Sequence, residues 1–286
     1  MDEPSVGGTH LAQFGSVDGT RFGDVRWFSV VGSTNTDLLA AASHGAPEGV
    51  VFIADEQTAG RGRRGRQWDA PPGSSLMMSV LLRPPHERVS PDSATLVTSA
   101  FAVAALRACR LLTGVAVRLK WPNDLVVEPL AGEEWSDPGY KKVAGILTES
   151  VLSGGAIGAL VVGMGLNTGW ESVPEHLEPI SASLNLLSGR PVDRVRLAEL
   201  VLVEFEKMYQ KLLTIDGAAA IAAAANDASA TVGRRVRISM SNDVVLVGTA
   251  VEVDGRGRLV VNDDAGHSHV LVEGDVVHLR PETSEH

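Results

Sequence analysis

The chain has 286 residues, enough for one large domain or for a catalytic domain with a small companion. Its 25 Lys+Arg stand against 35 Asp+Glu, and this net charge of −10 speaks against general nucleic-acid binding and against a polybasic membrane anchor. Hydrophobic residues make up 44%, ample material for a core, and the single cysteine rules out a disulfide framework within the chain and matches a reducing compartment.

That cysteine, Cys109, sits in the apolar run Phe101–Leu112 and reads as a buried helix residue rather than a nucleophile. The start, Met1-Asp2-Glu3-Pro4, lacks the basic and apolar regions of a signal peptide, and no uncharged apolar run reaches the ~20 residues that span a bilayer. The expectation is a soluble cytoplasmic protein that engages neither membrane nor nucleic acid.

Residues 1–24, rich in Gly, Ser and Asp, are expected to be loosely ordered. An extended Val25–Val31 leads to Gly32-Ser33-Thr34-Asn35, where Ser and Thr precede an alanine- and leucine-rich run and predict a helix N-terminus; Gly45 and Pro47 predict its end. Gly49–Asp55 is a β-branched run that reads as a buried strand and feeds through Gln57 into Gly60-Arg61-Gly62-Arg63-Arg64-Gly65-Arg66-Gln67-Trp68. Ser75–Leu82 is the next strand, and Asp92–Leu112 is helical behind Pro91. Val115–Leu119 runs into Lys120-Trp121-Pro122-Asn123-Asp124, and Leu125–Val127 continues as a strand. Residues 128–140 carry Gly, Pro and several acids and predict an exposed excursion. Val143–Val151 and Ile157–Met164 form two strands joined by Ser153-Gly154-Gly155. Val192–Leu213 and Gly217–Ala228 have helical spacing. From Val232 five short strands, with turns such as Asn242-Asp243 between them, predict a small barrel, with a boundary near residue 230.

The arginine–glycine stretch contains Gly60-x-Gly62-x-x-Gly65, the pattern of a dinucleotide-binding turn. That turn requires a helix to follow it, and the continuation Asp69-Ala70-Pro71-Pro72-Gly73 cannot begin one. A phosphate loop fails as well, because Arg66-Gln67 stand at its Lys-Ser/Thr positions. What remains is a loop whose glycines admit close backbone approach and whose arginines offer fixed donor forks to phosphate or carboxylate, closed by an indole able to stack on a ring. A solvated basic turn, with or without contact to RNA, is the bland alternative. Lys120-Trp121-Pro122-Asn123-Asp124 brings a cation, an amide and a carboxylate into one turn, which suits phosphates and Mg²⁺ or, more plainly, a strand-to-turn transition. Lys141-Lys142 opens an apolar strand, and Asn167 follows Gly163-Met164-Gly165; each is an ordinary strand end unless the other motifs converge on it.

Taken together, Gly32–Asn35, Gln57 to Trp68, Lys120–Asp124, Lys142–Leu147 and Gly163–Asn167 resemble the biotin protein ligases, in order and over roughly residues 28–170. The resemblance implies an α+β fold: a mixed sheet flanked by helices, like that of class II aminoacyl-tRNA synthetases, followed by an SH3-like barrel. The segments are then 1–24, a catalytic domain at 25–230 and the barrel at 231–286. It implies that biotin and ATP form biotinyl-5′-AMP, whose biotinyl group passes to a lysine of a biotin carboxyl carrier domain of an acyl-CoA or pyruvate carboxylase. It places Ser33, Thr34, Asn35, Gln57, Arg61, Gly62, Arg63 and Lys142 around biotin. Arg63, Arg64, Gly65, Arg66, Trp68, Asn123 and Asn167 fall around the adenylate, with Asp124 near Mg²⁺. Lys142, Arg63 and Asp124 are the expected catalytic groups. Adjacency to Val143-Ala144-Gly145 favours Lys142 over Lys141. About 25 residues precede the first expected strand, too few for the DNA-binding winged helix that many members carry, so a monofunctional ligase is expected. A lipoate or octanoate ligase or transferase of the same fold is the neighbouring alternative, and a nucleic-acid-binding module a more distant one.

Overall fold

The computed structural model describes residues 10–129, 139–173, 175, 177, 180–240 and 244–279. The described elements are β1 (His10–Gly15), β2 (Asp24–Val31), α1 (Thr34–Ser43), β3 (Val50–Gln57), β4 (Ser75–Leu82), α2 (Thr95–Thr113), β5 (Arg118–Lys120), β6 (Asp124–Val127), β7 (Lys141–Ser153) and β8 (Ala156–Asn167). They continue with α3 (Leu184–Ser188), α4 (Arg194–Leu212), α5 (Gly217–Asp227), β9 (Arg235–Ser239), β10 (Val245–Val253), β11 (Leu259–Asp263), β12 (Ser268–Leu271) and β13 (Asp275–His278).

The first eight strands form one mixed sheet in the order β1-β2-β3-β4-β8-β7-β6-β5. Only β2 and β3 run parallel, and α1 is their crossover; the other neighbours are antiparallel. One face of the sheet packs against α2, α4 and α5, where Phe101, Phe205, Leu197 and Leu76 are fully buried. The other face receives α1, whose Leu38 and Ala42 lie among Phe28, Phe52 and Val161. Covered on both faces, β4 is buried at every position, and this is why Ser75–Leu82 is mostly apolar rather than alternating, with Ser79 bonded to Thr34 and Asn35. By length and composition α2 and the turn before it could cross a membrane, but the helix lies under the sheet, where its apolar faces meet α4 and α5.

β9 to β13 form a separate antiparallel sheet, the small C-terminal barrel, in the order β12-β11-β10-β9-β13. Its core of Val236, Ile238, Ala250, Val253, Leu259 and Val261 includes one residue from the larger sheet, Trp121. The indole enters from the turn between β5 and β6, and its Nε1 donates to the Gly257 carbonyl at 3.2 Å.

All the sequence-predicted strands and long helices are present, with ends moved by a few residues. Within the segment 1–24 expected to be loose, His10–Gly15 pair with β2 as an edge strand through two register shifts, and residues 1–9 lie outside the described residues. α3, five residues ended by the left-handed Gly189, is too short for a helical period to show in sequence. The excursion expected at 128–140 lies outside the described residues except at its two ends, and the turn Asn242-Asp243 lies outside them too.

Candidate active site

The site is a cleft of about 420 Å³ between the start of α1, the arginine–glycine loop, the middle of β7 and β8, and the edge of the barrel. Three local features build its floor.

The first is a run of glycines inside the strands. A Cβ on Gly163 would stand 1.9 Å from the Asn35 Oδ1, and one on Gly165 would stand 2.2 Å from the Trp68 ring. Gly145, beside Gly165 on the neighbouring strand, would bring a Cβ within 3.2 Å of the same indole. These glycines carry no turn; they lower the sheet surface so that a polar side chain and an aromatic ring can lie on it.

The second is a bulge. Opposite β6, the pairing Asp124↔Gly145, Leu125↔Ala144, Val126↔Lys142 leaves Val143 without a partner. Strict alternation would put Lys142 and Gly145 on opposite faces. The extra residue instead aims Lys142 into the cleft with Gly145 while Val143 joins the core below. The Lys142 Nζ lies 2.6 Å from the Asp124 Oδ1 and 5.6 Å from the centroid of the Trp68 ring. Lys141 is not part of the cleft wall.

The third is the loop. Trp68 N–H donates to the Gly60 carbonyl at 3.0 Å, and Gly62 N–H to that of Arg66 at 2.7 Å, so the stretch closes as a small hairpin. Gly60 is required there, because a Cβ would meet the Trp68 carbonyl oxygen at 2.3 Å. At the tip Arg64 has φ 56°, the one positive φ at a non-glycine among the described residues. Its guanidinium meets Asp275 at 3.1 Å and Glu273 at 3.9 Å, and Arg66 meets Asp275 at 2.5 Å, so the barrel holds the tip.

The expected residues divide accordingly. Ser33, Thr34, Asn35, Gln57, Arg61, Gly62, Arg63, Arg66, Trp68, Asn123, Asp124 and Lys142 all line the cleft. Thr34 N–H donates to the Gln57 Oε1 at 2.8 Å, and Arg63 donates to the Asn123 Oδ1 at 3.3 Å. Three expected residues stand outside the wall. Arg64 turns to the barrel, and Gly65 faces a shallower hollow on the outside of the loop. Asn167 is buried at the end of β8, where its Nδ2 donates to the Ala182 carbonyl at 3.1 Å.

Sequence reasoning missed the contributions of distant segments. Lys120, weighed as the cation of its motif but not among the expected site residues, lines the cleft nearly fully buried, 5.3 Å from the centroid of the Tyr140 ring. Burial lowers its pKa, against the opposing fields of Asp124 and Asp275. Arg63 is lowered too, first by burial and then by Arg64. His278 packs on Tyr140, and burial, with Lys120 and Arg234 nearby, lowers its pKa to about 4, so it is neutral at neutral pH. Gly274 to Val277 of the barrel complete the wall. A buried lysine ahead of a turn was the one available signal for Lys120; nothing local marked the barrel edge. Cys109 is fully buried with its pKa raised to about 12, which leaves an unreactive thiol.

The arrangement is a cleft walled by α1 at one end and, at the other, by a cluster of cations with two carboxylates, Asp124 and Asp275. Among the described residues there is no acid–base–nucleophile triad in it and no group of three metal-binding side chains. It is built to hold an anion and stabilise charge on it rather than to attack it.

The profile of the biotin/lipoate A/B protein ligase family matches residues 27–167, and that of the biotin protein ligase C-terminal domain matches residues 231–279. A biotin–[acetyl-CoA-carboxylase] ligase of Mycobacterium tuberculosis is 36% identical over 251 residues, covering 87% of this chain and 86% of the relative. The ligase of the same description from Paracoccus denitrificans is 31% identical over 82% of this chain and 92% of its own length. The biotin protein ligase of Aquifex aeolicus, solved with biotin and ATP, superposes with a TM-score of 0.73 at 23% identity over 90% of this chain and 99% of that one, a likeness of fold. With relatives this similar over most of both lengths, the chain belongs to the biotin protein ligase family.

Proposed function

We propose that the protein is an ATP-dependent ligase that activates biotin and transfers it to a carrier lysine. In the first step the biotin carboxylate oxygen attacks the α-phosphorus of ATP; the bond to the bridging oxygen breaks, giving biotinyl-5′-AMP and pyrophosphate. In the second a neutral lysine amine of a carboxyl carrier domain attacks the mixed anhydride carbon, releasing AMP and a proton and leaving an amide. The observation that carries the proposal is Lys142 on the cleft floor beside Asp124, in a cleft that Arg63 and Lys120 also line.

The chemistry explains that layout. A carboxylate and a triphosphate repel each other, so the barrier falls chiefly by placing fixed positive charge where the two anions meet. On this reading Ser33, Thr34, Asn35, Gln57, Arg61 and Gly62 face biotin, Arg63 and Lys142 stand where the carboxylate meets the α-phosphate, and Arg66, Trp68 and Asn123 face the nucleotide. Arg64 and Gly65 act through the shape of the loop. The buried position of Asn167 favours a supporting role for it rather than direct contact. No protein nucleophile takes part. Trp68, laid over Gly145 and Gly165, closes one side of the cleft and would shield the anhydride from water.

The donor set suits a Mg²⁺ that arrives on the triphosphate, since such ions take one or two protein carboxylates and complete their shell with phosphates and water. Asp124 is the residue that would hold it. When bound, the ion would neutralise charge on the leaving pyrophosphate. We further infer a catalytic unit at 25–230 and a barrel unit at 231–286, supported by the barrel's separate core. The carrier domain is inferred from the relatives' acetyl-CoA-carboxylase substrate, and a cytoplasmic location is inferred with it.

Isothermal titration with biotin and with lipoate tests the substrate. Saturable binding of biotin, with lipoate bound at least tenfold more weakly, is expected; preference for lipoate, or no biotin binding, would sink the proposal.

A further inference from the structure

One acidic side chain beside the cleft is left unexplained by this chemistry. Glu149 lies on β7 two residues beyond Leu147 and four beyond Gly145, on the face those residues turn to the cleft. It is not itself part of the wall, but two wall residues converge on it. Asn35 Nδ2 donates to its Oε2 at 3.0 Å. Arg61 Nη2 meets its Oε1 at 2.9 Å, and Nη1 donates to Oε2 at 3.3 Å, so both carboxylate oxygens are engaged from the loop.

The consequence for Asn35 is a fixed orientation. Its Nδ2 sits between Glu149 and the Leu147 carbonyl at 3.1 Å, two groups that only accept, while Ser79 Oγ lies 2.6 Å from its Oδ1. Flipping the amide would set its oxygen against a carboxylate and a carbonyl, so the network allows one orientation. The absence of a side chain at Gly163 gives that amide its place. The consequence for Arg61 is neutralisation. The opposite end of the cleft differs: there four cations, Lys120, Lys142, Arg63 and Arg66, face two carboxylates, Asp124 and Asp275, so positive charge is left over.

We propose that Glu149 is a positioning residue that sorts the cleft by charge. By locking Asn35 and neutralising Arg61, it makes the α1 end a neutral, directional site for an uncharged polar ring, and it leaves the cations at the other end for carboxylate and phosphate. The inference rests on biotin being the substrate: its fused ureido ring is uncharged, and its only charge is the carboxylate at the end of its chain. Without Glu149 the α1 end would gain an unneutralised guanidinium and an Asn35 amide held by Leu147 and Ser79 alone. A carboxylate entering backwards, or a phosphate, would then compete for it.

Glu149→Gln keeps the side chain's shape and an acceptor for Asn35 but removes the charge, whereas Glu149→Ala removes both. Titration calorimetry is expected to show biotin binding about tenfold weaker in E149Q and weaker again in E149A. The KM for ATP should stay within about twofold of wild type, and free pyrophosphate should compete with biotin more strongly in E149Q. The loss in the double variant E149Q/R61Q should be smaller than the product of the two single losses, because the charge acts through Arg61. If wild type and E149Q bind biotin equally, or if the ATP and biotin constants fall together, Glu149 has no such role even though the function stands. If the wild-type protein does not bind biotin, the functional proposal fails first and this one with it.

Discussion

Gly165 shows how much of the site depends on atoms that are absent. The indole of Trp68 lies where a Cβ on this glycine would stand, 2.2 Å from the nearest ring atom, and ring atoms cannot yield as a flexible chain end can. Gly165→Ala is therefore expected to eject the indole from the cleft floor. Its emission should shift to longer wavelength and become accessible to iodide, with the other four tryptophans as a constant background. An unchanged spectrum and quenching curve would mean that the ring does not rest there. At this scale the sequence was informative about composition and poor about direction. Arginines and glycines in alternation announce an anion loop, but Arg64 and Arg66 reach Asp275, more than 200 positions along the chain. Gly165 read as following a strand that stopped at Met164, yet it lies inside β8, where it and Gly163 act as spacers. Lys142 enters the cleft only because Val143 bulges, and an alternating pattern carries no sign of that.

Among elements, the turn between β5 and β6 does two jobs at once. Asp124 and Asn123 face the cleft, while Trp121, one residue before Pro122, leaves the catalytic sheet and fills the barrel core. The same five-residue motif that places a carboxylate beside Lys142 thus fixes the barrel that supplies Gly274 to Val277 and the carboxylate of Asp275. Trp121→Ala should cost about 3–5 kcal/mol, the usual range for truncating a large buried aromatic. The barrel should then unfold at a lower temperature than the catalytic sheet, read by calorimetry as a split transition. A single transition with an unchanged midpoint would show that the indole is not a structural pin. The strands and long helices were legible because each repeats a pattern over several residues. The edge strand β1, in the Gly- and Ser-rich start of the chain, was not, and neither was the five-residue α3.

For the molecule as a whole, a net charge of −10 accompanies a cleft lined by Arg61, Arg63, Arg66, Lys120 and Lys142. The cleft is closed by parts from both ends of the chain: α1 on one side, the barrel edge on the other, and a loop of arginines and glycines between them. The loop read from sequence as a basic stretch that could wrap a ligand becomes, in the fold, a hairpin pinned at its base by its own backbone and at its tip by the barrel. Its glycines serve both close approach and closure. The most direct test of this account follows pyrophosphate release and biotin transfer to a carboxyl carrier domain, with biotin and ATP supplied together and singly, in wild type and in Lys142→Ala. Wild type should release pyrophosphate only when both are present and should label one carrier lysine, and K142A should be slower by about 100-fold or more in the first step while staying folded. Pyrophosphate release without biotin, or K142A working at nearly the wild-type rate, would contradict it.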